Sequence, residues 1–246
     1  MPKKKIDPTL TIEEQIDARP EPKPRKHPQL WQSYLLWDEL MKLRQRHTLR
    51  ISSAERGKSQ MDAQFERDFL DHLGVDDNLE LARKMMISYG KATGIWEWTT
   101  SIKGLGAGGE AAKLIAQVDD IARFETIAKL WRFAGYAVID GKAEKNQAGE
   151  KSHFNRNLKS ICFCIADQFI RQQTPGYVDI YYAEKARLRQ LYPEAIKQDG
   201  KNLFTDGHVH NRAWRKMIKQ FLADFWLQWR IAEGLPISQP FATKKV

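Results

Sequence analysis

Thr99-Thr-Ser-Ile-Lys-Gly-Leu-Gly-Ala-Gly-Gly-Glu-Ala-Ala-Lys-Leu-Ile-Ala116 sets an apolar residue between two glycines where one helical segment gives way to another. The pattern reads as a helix-hairpin-helix. Gly104 and Gly106 can take the positive φ angles that so tight a turn requires, and they leave no side chain between backbone and ligand. Leu105 anchors the turn from inside, and the helix-favouring run from Glu110 to Ala116 predicts a new helix from near Ala107. The first amides of that helix lack internal partners and carry the positive end of its dipole, an arrangement suited to phosphate. Lys103, Gly104, Gly106, Ala107 and Gly108 are therefore the hairpin residues expected against a nucleic-acid backbone. The same glycines also fit a helix cap in an αα-hairpin that only packs. A dinucleotide fingerprint is disfavoured, because Trp96 to Ile102 is not a convincing buried strand and no βαβ unit follows.

The 246 residues hold 40 Lys and Arg against 31 Asp and Glu, a formal charge of +9 that favours a polyanionic partner. No apolar run approaches the roughly 18 residues of a membrane span, and Met1-Pro-Lys-Lys-Lys is not followed by the apolar stretch of a signal peptide. A cytoplasmic protein with no membrane contact is expected. The only cysteines, Cys162 and Cys164, lie two apart on a helical pattern and so point to different sides, which speaks against a bridge or a shared metal. A zinc site completed by His208 and His210 lacks the usual ligand spacing, so no metal and no cofactor are expected, and both thiols read as buried apolar groups.

Residues 1–29 contain six of the ten prolines and little apolar content, which predicts a flexible basic arm in which Lys3 to Lys5 stay solvated or touch phosphate. Residues 30–94 form a helical hairpin or a dimerising coiled coil. Its first helix, about 30–54, carries Leu36, Leu40 and Leu43; Ser59 caps a second with a stripe of Met61, Phe65, Phe69 and Leu73; Asp77 or Asn78 opens a third with Leu79, Ala82, Met85, Met86 and Tyr89. Beyond the hairpin come a turn at 119–124 docked by Phe124, a short helix at 126–134, and a long polar loop at 136–152. Helices at 154–173, 177–191 and 209–233 follow. The second of these reads with Tyr181, Ala183 and Leu188 inward, and the third with Trp214, Ile218, Phe221, Phe225 and Trp229 inward and Arg212, Arg215, Lys216 and Lys219 clustered in its first half. No alternating β-branched run occurs, so the class is all-α. The loop lysines Lys142, Lys145 and Lys151, with Arg156 and Lys159 at the following helix start, are the remaining residues expected to meet DNA.

Residues 95–236 resemble the C-terminal helix-hairpin-helix domain of the DEDD insertion-sequence transposases of the one-ten family. The resemblance is carried, in order and spacing, by Ile102-Lys-Gly-Leu-Gly-Ala107, Asp120-Ile-Ala-Arg-Phe124, Leu130-Trp-Arg-Phe-Ala-Gly-Tyr136, Gly149-Glu-Lys-Ser-His-Phe-Asn-Arg-Asn-Leu-Lys159, Arg215 to Leu222, Trp226 to Arg230 and Gly234-Leu-Pro236. It implies DNA transposition or recombination, with the hairpin and the following loop held against double-stranded DNA and, in some members, a structured guide RNA. Two departures bear on chemistry. The RuvC-like domain with its four metal-binding carboxylates has no counterpart in residues 1–94, and Asp140 stands where the family carries a serine nucleophile before Gly141; Ser152 belongs to the later motif. The expectation is a DNA-binding protein with no catalytic residue of its own and a tail at 237–246, with a homodimer as one assembly. The alternatives are a transposase subunit completed by a separate RuvC-like chain, and a non-enzymatic helical scaffold.

Overall fold

The structure is a computed structural model that describes residues 24–139, 141–144, 149, 152–198 and 201–238, with the backbone alone at 139, 142, 197, 198, 201 and 202. Most of the expected flexible arm, Lys145, Lys151, Asp140 and residues 239–246 of the tail lie outside the described residues. Nine α-helices are present among them: α1 Pro28–Glu55, α2 Ala63–His72, α3 Val75–Gly90, α4 Trp96–Ser101, α5 Gly109–Val118, α6 Ile127–Phe133, α7 Arg156–Arg171, α8 Tyr177–Leu191 and α9 Asp206–Ala232. The protein is all-α. Its extended pairs among the described residues are two antiparallel ribbons, β1 Val138–Ile139 with β2 Lys142–Ala143 and β3 Ile196–Gln198 with β4 Lys201–Leu203, so the polar loop after α6 opens as a hairpin.

α9 is the axis of the core. Met217, Ile218, Phe221, Leu222, Phe225 and Trp229 recur at helical spacing and are fully buried, meeting Ile165 and Phe169 of α7 and Leu130 of α6 in one apolar cluster. Leu30, Tyr34 and Met86 belong to the same cluster, so packing is continuous across the 94/95 position where the sequence divides the helical hairpin from the later region. α5 lies in the middle and buries every residue from Leu114 to Val118 between α3 and α7.

Several local readings change. Asp62, and not Ser59, caps α2, because its carboxylate accepts from the amides of Gln64 and Phe65. α3 begins at Val75 directly after the left-handed Gly74, two residues before Asp77. Leu36 is exposed, and α1 instead buries Leu30, Ser33, Tyr34 and His47. His47 pairs with the buried carboxylate of Glu66, which draws the polar face of α2 inward and leaves Met61, Phe65, Phe69 and Leu73 exposed, Phe65 at 66%. Ala183 is exposed because the inward position beside Tyr181 and Leu188 belongs to Glu184, held by Arg187 and Lys216. Cys162 is buried but Cys164 is exposed, as their spacing on one helix demands.

The N-terminal approach is ordered earlier than composition predicts. The backbone amides of Lys26 and His27 donate to the Asp119 carboxylate at 3.4 and 3.1 Å, and Lys26 Nζ reaches Glu233 at 2.5 Å. These contacts seat α1 on the exit of α5 and the end of α9.

Candidate nucleic-acid interface

The hairpin forms where expected, with Leu105 buried beneath it. Its glycines have different tasks from those read in the sequence. Gly104 has φ 97° and Gly108 φ 77°, whereas Gly106 is not left-handed. A Cβ on Gly108 would stand 3.1 Å from Trp96 and 3.3 Å from Ile87, so Gly108 is buried packing behind the turn and not a phosphate contact. Gly104 packs toward Gln168 and Thr174, whose hydroxyl donates to the Lys103 carbonyl at 2.8 Å. The new helix starts at Gly109 and not Ala107, because the Gly108 cap accepts from Ala112 at 2.9 Å. Lys103, Gly106 and Ala107 are exposed, and the amides of Gly106 and Ala107 donate to nothing among the described residues. Arg83 of α3 stands alongside, 3.4 Å from the Ala107 carbonyl, while Glu110, paired with Lys113 at 2.8 Å, offsets part of the positive end of α5.

The second expected group is divided. Lys142 is placed by its backbone in β2. Arg156 is exposed, and Lys159 is half-buried, its Nζ 4.2 Å from the centre of the Phe154 ring and donating to the Glu144 carbonyl at 3.2 Å. Asn155 caps α7 through Leu158 and so fixes the direction of this first turn. Gln168, against which Gly104 packs, lies nine residues along α7 from Lys159, or about 14 Å at the rise of an α-helix. The structure therefore places the hairpin and the Arg156–Lys159 pair at opposite ends of α7 and does not join them in one cluster.

What joins the start of α7 is the basic cluster of α9, which the sequence did not mark among the expected DNA contacts, together with Trp214, read there as core and here only half-buried. A cleft of about 420 Å³ opens between α7, the first half of α9 and the two ribbons, lined among others by Lys159, Arg212, Arg215, Tyr136, Trp214 and Phe204. Arg215 donates to the Ala137 carbonyl at 2.7 Å and lies 5.4 Å from the Tyr136 ring centre. Lys219, one turn further along α9, rests 3.9 Å from the centre of the Trp131 ring. Among the described residues none of Lys159, Arg212, Arg215 and Lys219 has a carboxylate within ion-pair distance. Burial lowers the pKa of Lys159 and Lys219, and the charge of Arg215 lowers both further; burial lowers that of Arg215 too, against Tyr136 and Glu144. Glu144 partly offsets this field from beyond contact distance. A bound anion would relieve both the repulsion and the desolvation of these cations. The signal was present in the sequence, since 212, 215 and 219 follow the i, i+3, i+7 spacing of one helix face.

Among the described residues no group of three or more His, Cys, Asp or Glu side chains is arranged to hold a metal ion, and no helix is long and apolar enough to cross a membrane. No family model, no curated protein and no solved structure matches the chain.

Proposed function

We propose that this chain is a cytoplasmic protein that binds double-stranded DNA through two basic surfaces, the hairpin at one end of α7 and the cationic cleft at the other. The observation that carries the reading is the set Lys159, Arg215 and Lys219, each partly buried and none with a carboxylate within ion-pair distance among the described residues. Keeping partly desolvated cations without a counter-charge in contact is costly in an isolated protein and is offset when phosphate arrives. The amides at Gly106 and Ala107, which have no partner among the described residues, supply the second contact beside Lys103. Phosphate contacts of this kind position a duplex without reading its bases, so little sequence preference is expected.

A role in transposition or recombination rests on the resemblance of residues 95–236 and on nothing else. Asp140 in the serine position supports a protein without strand-transfer chemistry of its own. An electrophoretic shift assay with duplex DNA, followed by a cleavage assay with Mg²⁺, tests both parts: a shift without cleavage is the expected result. Cleavage by the chain alone would overturn the non-catalytic part. Cleavage only with an added metal-binding partner chain would favour a split transposase, and preferential binding of a structured RNA would move the partner. The packing of Gly104 and Gly108 favours a second reading, a scaffold whose hairpin is structural, and absence of any shift would select it.

A further inference from the structure

We propose that the cleft between the start of α7, the first half of α9 and the two ribbons holds one unpaired nucleotide of a bound strand. Its phosphate would meet Arg212, Arg215 and Lys159, and its base would lie against Trp214 and Phe204. This rests on the nucleic-acid reading above and narrows it.

Size selects first. At about 420 Å³ the cleft falls in the range of sites that take one small molecule: a duplex rests its phosphates against the cations at the mouth, and only an unstacked nucleotide enters. Chemistry selects next. Cations alone would suit any phosphate, but this cleft also presents rings. Trp214 is half-buried and only tilted neighbours meet it, Tyr136 at 6.1 Å and 36° and Phe163 at 5.2 Å and 43° between ring planes. Phe204 is backed by Tyr192 in a stack at 3.6 Å, with the Arg212 guanidinium 4.7 Å from its centre. Rings beside guanidinium groups are a general means of holding an unstacked base and its phosphate together. A third feature is polar. Tyr136 lines the cleft, is 1% exposed, and its hydroxyl has no hydrogen-bond partner among the described residues. Such a group is rare in a folded protein and would be satisfied by a ligand oxygen or nitrogen that reaches it from the cleft.

The test uses fluorescence anisotropy at fixed salt with the full chain and three DNA probes: a blunt duplex, and the same duplex with a short 3′ or 5′ overhang. One overhang is expected to bind about tenfold more tightly than the blunt duplex, the increment of one stacked base. Trp214→Leu should bring that ratio to near one, and Phe204→Leu serves if the first variant does not fold. Equal affinity of the wild-type chain for all three probes overturns the nucleotide pocket and leaves duplex binding standing. An overhang preference that survives both ring substitutions overturns the cleft as its seat. Failure to bind any probe removes the nucleic-acid reading and this inference with it.

Discussion

Trp131 and Lys219 hold each other twice: the indole Nε1 donates to the Lys219 carbonyl at 3.1 Å, and the Lys219 ammonium stands 3.9 Å from the centre of the same ring. The pair joins α6 to α9 at the edge of the cationic cleft and gives a half-buried lysine a ring face where a carboxylate would otherwise be needed. Trp131→Phe removes the hydrogen bond and weakens the ring's hold on the cation, for an expected loss of about 1–2 kcal/mol in urea denaturation. Unchanged stability would show that the pair is incidental.

The two central glycines of the hairpin should separate stability from binding. Gly108→Ala sets a Cβ 3.1 Å from Trp96 at φ 77° and should lower Tm by several degrees, whereas Gly106→Ala, whose nearest neighbour is the Thr100 carbonyl at 3.5 Å, should leave Tm within a degree or two. Duplex affinity should fall in Gly106→Val, where a branched side chain stands beside the bare amides. If Gly106→Val binds as the wild type does, the hairpin is structural.

Asp119 holds the approach to α1 from a positive-φ position, φ 65°. Replacement by Ala loses the acceptor for Lys26 and His27 and keeps the unfavourable backbone, for an expected cost of about 2–4 kcal/mol by chemical denaturation. Asn keeps the same backbone and retains one side-chain acceptor oxygen, so Asp119→Asn should lose markedly less. Equal losses would mean that the docking of residues 25–27 contributes nothing.

Glu184 supplies a pH signature. Hydrogen bonds from Arg187, opposed by burial and assisted by Lys216, hold its carboxyl down at about 2 against an ordinary 4.5. A carboxylate depressed on folding contributes stability that is complete above the unfolded pKa and is lost as the pH falls toward the folded one, so the window runs from about 4.5 down to about 2. Both basic partners are more than half exposed, which limits the contribution to roughly 1–2 kcal/mol. Glu184→Gln should flatten the acid limb of a Tm-against-pH curve in that window and leave Tm unchanged in shape above it; an identical acid limb would contradict the assignment.

Helix identity was legible wherever an apolar period ran unbroken, and α7, α8 and α9 fall within a turn or so of their expected bounds. Which face turns inward was less so. The stripe Met61-Phe65-Phe69-Leu73 reads as the packing face of a helical hairpin or coiled coil, but the ion pair between His47 and Glu66 sets the polar face of α2 against α1 and leaves the stripe exposed, because a sequence does not show which polar groups find partners at a distance. Positive φ at Gly104 was legible from the tightness of the turn. Its occurrence at Gly108 and not Gly106 depends on Trp96 packing behind the hairpin, a contact that local spacing does not encode. At the candidate interface the cations were visible, but the ribbons and Tyr136 that enclose them come together only through tertiary contacts far apart in the chain.

The central claim is that cations with no carboxylate at ion-pair distance among the described residues await phosphate, and the salt dependence of duplex affinity tests it most directly. With Lys159, Arg212, Arg215 and Lys219 in contact, a plot of log K against log salt should fall with a slope of about −3 to −4. Lys159→Met, which keeps the stem over Phe154 and removes the charge, should make that slope shallower by about one. A flat plot, or no binding at the lowest salt, would contradict the account.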